Sequence, residues 1–208
     1  MTRILVVDDH PVTREGIRLA ICARRADCVV DICPDIANAR AHLRDRHRYD
    51  LILLDYRLPD SQGLSGFFTI QSVAGGIPIA ILTASVSDRL APVARAVGCV
   101  GYLSKADALP VIADSIERLL DGDTVFPRDD EIDPEMLDLR DRILGLSTAQ
   151  LRVLTAVLNG ALNKQIAADL DVTEATIKAH MTTIFRKLGV DSRVEAVRAV
   201  RPLFGDIE

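Results

Sequence analysis

Leu51-Ile52-Leu53-Leu54-Asp55-Tyr56-Arg57-Leu58-Pro59 sets four aliphatic residues in succession, closes them with a carboxylate and reaches a proline four positions later. So short an unbroken apolar run is the pattern of a strand covered on both faces. Similar runs occupy residues 4–7, 28–32, 79–82 and 100–103. Helical spacing fills the gaps between them: 12–26 behind Pro11, 36–46, 63–74, 90–97, and 109–120 with Pro110 in its first turn. Strands alternating with helices predict an α/β fold, a five-stranded doubly wound parallel sheet. Pro92 denies a long fourth helix and suggests a short or displaced one that begins near it.

The 208 residues allow one large domain or two small ones, and 49% hydrophobic with 26% charged residues excludes wholesale disorder. Charge divides the chain. Residues 1–120 carry 14 basic and 14 acidic side chains, and residues 121–145 carry 3 basic and 9 acidic, a net charge of −6. Residues 146–208 carry 8 basic and 7 acidic. The acidic stretch, with Pro127 and Pro134, reads as a solvated linker between a domain at 1–120 and a second at 146–208. No apolar stretch approaches the roughly 18 residues that a membrane span needs. The apolar run at 4–7 is too short for a secretory core, so the expected location is the cytoplasm. Cys22, Cys28, Cys33 and Cys99 have no zinc spacing and read as small hydrophobes.

The last segment reads as helix throughout. Leu151, Leu154, Val157 and Leu158 recur at helical spacing until Gly160. Asn163 is a candidate cap for 164–170, Asp171-Val172 for a turn, and Thr173 caps a helix running to Leu188 before Gly189. A final helix over 192–200 precedes Pro202. Short helix, tight turn and longer helix outline a small all-α helix-turn-helix domain. On the longer helix Ile177, Met181, Ile184 and Leu188 form the core stripe. Ala175, Ala179, Thr182 and Arg186, flanked by Lys178, form the opposite face, which suits the major groove of DNA.

In an open α/β sheet, chemistry gathers at the carboxyl ends of the strands. Here those ends carry Asp8-Asp9, Asp55 and Thr83, with Tyr102 leading to Lys105. Three converging carboxylates repel one another unless a cation joins them, and hard oxygen ligands favour Mg²⁺. Lys105 adds a fixed positive charge and Thr83 a hydroxyl donor. The set suits phosphoryl transfer to a carboxylate nucleophile.

Residues 1–120 resemble the receiver domain of two-component response regulators, through Val7-Asp8-Asp9-His10, Leu54-Asp55-Tyr56-Arg57-Leu58-Pro59, Leu82-Thr83-Ala84 and Gly101-Tyr102-Leu103-Ser104-Lys105. The resemblance implies that Asp55 accepts a phosphoryl group from a sensor histidine kinase. It implies Mg²⁺ held by the Asp9 and Asp55 side chains and the Arg57 carbonyl, with Asp8 reaching it through water. Lys105 would pair with phosphoryl oxygens, and Thr83 would swing toward them, letting Tyr102 rotate inward. Arg57 and Ser85 would flank the path of the hydrolytic water, and Gln62 stands where the family usually has Asp.

Residues 146–201 resemble the LuxR-type helix-turn-helix, through Asn163-Lys164-Gln165-Ile166-Ala167, Thr176-Ile177-Lys178-Ala179-His180 and Ile184-Phe185-Arg186-Lys187-Leu188-Gly189-Val190. By resemblance Thr176 and Lys187 touch the DNA backbone while Lys178, Ala179 and Thr182 face bases. Val194, Val197 and Val200 would form a two-fold dimer contact, and Gln150 stands where Glu is usual. Together the halves look like a NarL/FixJ-type response regulator, a DNA-binding homodimer favoured by phosphorylation. It would be no enzyme beyond its own phosphoryl uptake and hydrolysis. The expected coupling has the unphosphorylated receiver covering residues 173–188, with Asp129, Asp130 and Glu131 competing for the basic face. The alternatives are a constitutive DNA binder with the receiver as dimer scaffold, and a phosphate sink or adaptor.

Overall fold

The computed structural model describes residues 1–44, 49–84, 90–127, 138–139, 141–143 and 145–204. The chain forms two units, Met1–Glu131 and Ile132–Glu208. In the first, β1 (Arg3–Val7), β2 (Val29–Cys33), β3 (Leu51–Asp55), β6 (Ile79–Thr83) and β7 (Gly101–Ser104) make one parallel sheet in the order β2-β1-β3-β6-β7. The helices are α1 (Pro11–Arg24), α2 (Ile36–Arg44), α3 (Leu64–Gln71), α4 (Leu90–Ala96) and α5 (Leu109–Leu120). β1, β3 and β6 are almost wholly buried, as unbroken Leu, Ile and Val runs require when helices cover both faces. Strand order reverses between β1 and β3, so the crevice for ligands opens where those two strands end.

Several expected bounds shift. β2 lies one residue later than the 28–32 run. The third helix begins at Leu64, with Gly63 as its cap at φ 58°, a conformation that favours glycine. The second helix reaches Arg44, and residues 45–46 of its expected span lie outside the described residues. Pro92 sits within the first turn of α4, where a missing N–H costs no helical hydrogen bond. A hairpin of β4 (Arg57–Leu58) and β5 (Ser61–Gln62) also follows β3, too short for any periodic pattern to announce.

Both ends of the expected linker carry structure. The Val125 N–H donates to the Val100 carbonyl at 3.0 Å and the Tyr102 N–H to the Val125 carbonyl at 2.8 Å. Residue 125 thus extends the sheet beyond β7 as a parallel bridge. The Arg95 guanidinium lies 4.5 Å from the centre of the Phe126 ring. Composition missed this because two apolar residues among acids are enough to close a sheet edge. At the other end Ile143 and Leu146 are buried. Asp129, Asp130 and Glu131, the acids expected to compete with DNA, lie outside the described residues.

The second unit holds α6 (Thr148–Leu158), α7 (Asn163–Leu170), α8 (Glu174–Leu188) and α9 (Arg193–Phe204). Ser147 caps α6, its hydroxyl accepting from the Gln150 N–H while Gln150 Oε1 accepts from the Ser147 N–H, a reciprocal capping box. Asn163 is the first residue of α7 rather than its cap, and the Gln165 side chain instead accepts the Leu162 N–H at 2.7 Å. Asp171 turns the chain at φ 54°. α9 continues through Pro202, which removes its own N–H but leaves later donors their carbonyls.

Candidate functional site

Backbone geometry brings the first site together. Asp8 follows β1, and its N–H donates to the Cys33 carbonyl at 3.0 Å, which fixes the turn beside β2. Asp55 is the last residue of β3, and Thr83 the last of β6. The Lys105 N–H donates to the Thr83 carbonyl at 2.7 Å, holding the lysine over the same rim. Asp8 is 0% exposed and Asp55 5%. The Lys105 ammonium stands 2.6 Å from Asp8 Oδ2 and 2.6 Å from Asp55 Oδ2. The Arg57 N–H donates to Asp55 Oδ1 at 3.2 Å. Burial pushes the Asp55 carboxyl above the usual aspartate range, against the pull of Lys105.

Asp9 is exposed, as the outer member of an acid pair at a rim must be. Ligand atoms of Asp8, Asp9, His10 and Asp55 lie within 4.8 Å of one another. One lysine ammonium neutralises about one of three carboxylates, and the oxygen-rich remainder fits a hard divalent cation. Asp8, Asp9, Asp55 and Lys105 therefore meet at one rim, and Thr83 is tied to it through its carbonyl. The Tyr102 ring is 2% exposed, since β7 lies between β6 and the bridge at Val125. Thr83 is buried beside it in the sheet, and Ser85 lies outside the described residues.

Of three further contributors, two carry no signal in the sequence. His10 directs Nδ1 to Asp9 Oδ1 at 2.6 Å, and its N–H donates to Asp8 Oδ1 at 2.8 Å. Arg14 donates to the Asp8 carbonyl from one turn into α1. Asp60, in the hairpin behind the phosphoryl-transfer candidate, accepts the Ile36 and Ala37 N–H groups at 3.1 and 3.0 Å, capping α2 from a distant segment. Adjacency to Asp8-Asp9 marks His10 in the sequence. Nothing local marks the other two.

The second site is the outer face of α8. Thr173 caps the helix, Oγ1 accepting from the Thr176 N–H at 3.2 Å, and Gly189 ends it at φ 71°. Ile177, Met181, Ile184 and Leu188 are buried as predicted. Ala175, Lys178, Ala179, Thr182 and Arg186 are exposed together on the other side. The Thr182 hydroxyl donates back to the Lys178 carbonyl at 3.1 Å. Thr176 is half-buried, its hydroxyl 2.9 Å from that of Thr173. Lys187 is engaged within the unit, 2.6 Å from the Gly145 carbonyl and 2.9 Å from Gln150 Oε1. Val200 is 0% exposed and packs inside its own unit, so the expected dimer stripe loses it; Val197 is half-buried and Val194 is 76% exposed.

Comparison with known proteins matches two family models, "Response regulator receiver domain" over residues 4–117 and "Bacterial regulatory proteins, luxR family" over residues 144–200. The chain is 33% identical over 218 residues to the Glycerol metabolism activator of Pseudomonas putida, covering 100% of this chain and 97% of that protein. It is also 33% identical over 201 residues to the Nitrate/nitrite response regulator protein NarP of Escherichia coli, covering 93% and 92%. RcsB from Salmonella enterica serovar Typhimurium, solved bound to promoter rprA, shares the fold at a TM-score of 0.52, with 18% identity over 96% of this chain and 98% of that one. Among the described residues no helix is long and apolar enough to cross a membrane.

Proposed function

The chain belongs to the two-component response regulators that join a receiver to a LuxR-type DNA-binding domain, and on that footing we propose that phosphorylation of Asp55 switches its grip on promoters. One observation carries the reading: a buried carboxylate at the crevice between β1 and β3, bridged to Asp8 by a single ammonium at 2.6 Å. The donor is a histidine kinase. Asp55 attacks the phosphorus of its phosphohistidine, an O–P bond forms, the N–P bond breaks, and the imidazole leaves. Asp9, Asp55 and the Arg57 carbonyl would hold Mg²⁺, with Asp8 behind them. When bound, that ion neutralises charge on the transferring group. Lys105 follows the phosphoryl oxygens, and the Thr83 hydroxyl offers them a donor.

The acyl phosphate carries about −1.5 to −2 charges where the carboxylate carried one, a change that biases a two-state element at β6 and β7. The result is a cytoplasmic homodimer that reads paired half-sites through α8, Lys178, Ala179, Thr182 and Arg186 toward the groove and Thr176 and Lys187 toward the backbone. The receiver turns over only its own phosphoryl group. Intact mass after acetyl phosphate, read beside DNA affinity, tests this: wild type gains an adduct and binds more tightly, and Asp55→Asn does neither.

A second reading takes the buried Tyr102 ring, 2% exposed, as a fixed part of the sheet. In that reading the receiver is a static dimer scaffold, and Asp55→Asn protein binds promoters as tightly as treated wild type.

A further inference from the structure

Lys178 and Lys187 are nine residues apart, so at about 100° per residue they stand on opposite flanks of α8, with Ala175, Ala179, Thr182 and Arg186 between them. A helix lying in a major groove brings its middle to base edges and its flanks to the phosphates of the two strands. Lys187 is the flank whose ammonium is held in place. Two of its three N–H groups go to the Gly145 carbonyl at 2.6 Å and Gln150 Oε1 at 2.9 Å. Both acceptors are neutral, and among the described residues no carboxylate is ion-paired with Lys187. The same Gln150 oxygen accepts the Ser147 N–H at 3.0 Å, so the capping box of α6 fixes its position. Arg142 ties the neighbouring turn, donating to the Leu188 carbonyl at 2.7 Å.

We infer that Gln150 is a positioning residue for DNA binding: with Gly145 it aims the Lys187 ammonium while leaving its charge uncancelled and one N–H free for a phosphate. The inference rests on the DNA-binding reading above and assigns residue 150 control over the sequence-independent part of affinity. A glutamate at 150 keeps both hydrogen bonds and the helix cap, yet cancels the charge. Geometry and charge are thereby separable.

The test uses the full chain and a fluorescent random-sequence duplex of about 30 base pairs, titrated from about 50 to 300 mM NaCl. Gln150→Glu should reduce the slope of log affinity against log salt by up to about 0.9 per bound protomer, one phosphate contact each. At about 100 mM NaCl the affinity should fall roughly five- to tenfold. Lys187→Ala should lose the same slope, and the double variant should lose no more than either single one. Thermal melting keeps the comparison to folded protein, since Gln150→Glu preserves the cap. An unchanged slope for Gln150→Glu, or additive losses in the double variant, overturns the inference while wild-type binding stands. A wild type that binds no duplex with salt dependence overturns the DNA-binding reading itself, and this inference with it.

Discussion

At Asp55 burial outweighs Lys105, so a proton is held more tightly in the folded protein than in the unfolded chain. The contribution of that group to stability is present below the ordinary aspartate value and is lost as pH rises through the raised one. Protons and Mg²⁺ compete for the same oxygens, so Mg²⁺ affinity should fall as pH drops through that raised value. Calorimetric Mg²⁺ titrations across acid pH check this, and Asp55→Asn should remove the step. Arg57 is exposed beside the pocket, and its proposed role in hindering water predicts that Arg57→Asn shortens the lifetime of the acyl phosphate, measured by decay of the adduct mass. Burial pushes the Cys33 thiol up to about 12 and the Cys28 and Cys99 thiols above their usual range. Brief iodoacetamide treatment should therefore label Cys22 first, leaving one adduct that Cys22→Ser abolishes.

At the scale of elements, two contacts decide where helices begin and end. Asp60 holds the first N–H groups of α2, and Asp60→Ala should cost about 1 kcal/mol in chemical denaturation, the usual worth of a cap. Gly189 has φ 71°, and a Cβ there would stand 2.6 Å from Arg142 Nη1. Gly189→Ala should then cost about 1–2 kcal/mol for the left-handed backbone and more for the displaced arginine, read as a lower melting temperature of the second unit. These elements differ in how far their residues announced them. β1, β3 and β6 were legible because burial on both faces leaves unbroken aliphatic runs, and α8 because its core stripe, Thr173 and Gly189 agree. The hairpin at Arg57–Leu58 was not, since two-residue strands carry no period. The Asp60 cap was not, since its partners lie 23 and 24 positions away in sequence. Asp8, Asp9, Asp55, Thr83 and Lys105 were legible because strand ends in this topology share one rim. The hold of Gly145 and Gln150 on Lys187 depends on tertiary contact across 42 and 37 positions, which no local pattern encodes.

For the whole molecule, the boundary beyond α5 matters most. A fragment ending at residue 120 lacks the Val125 bridge and leaves the Tyr102 N–H and the Val100 carbonyl without their sheet partners. It should melt several degrees below a fragment ending at residue 127 and associate at high concentration, as light scattering would record. A chimera that borrows this receiver for a different output therefore needs its splice behind Phe126. Joined straight onto α5, the graft would present a raw sheet margin that another copy can fill. A domain exchange that looks neutral on paper would then report on clumping rather than on signalling.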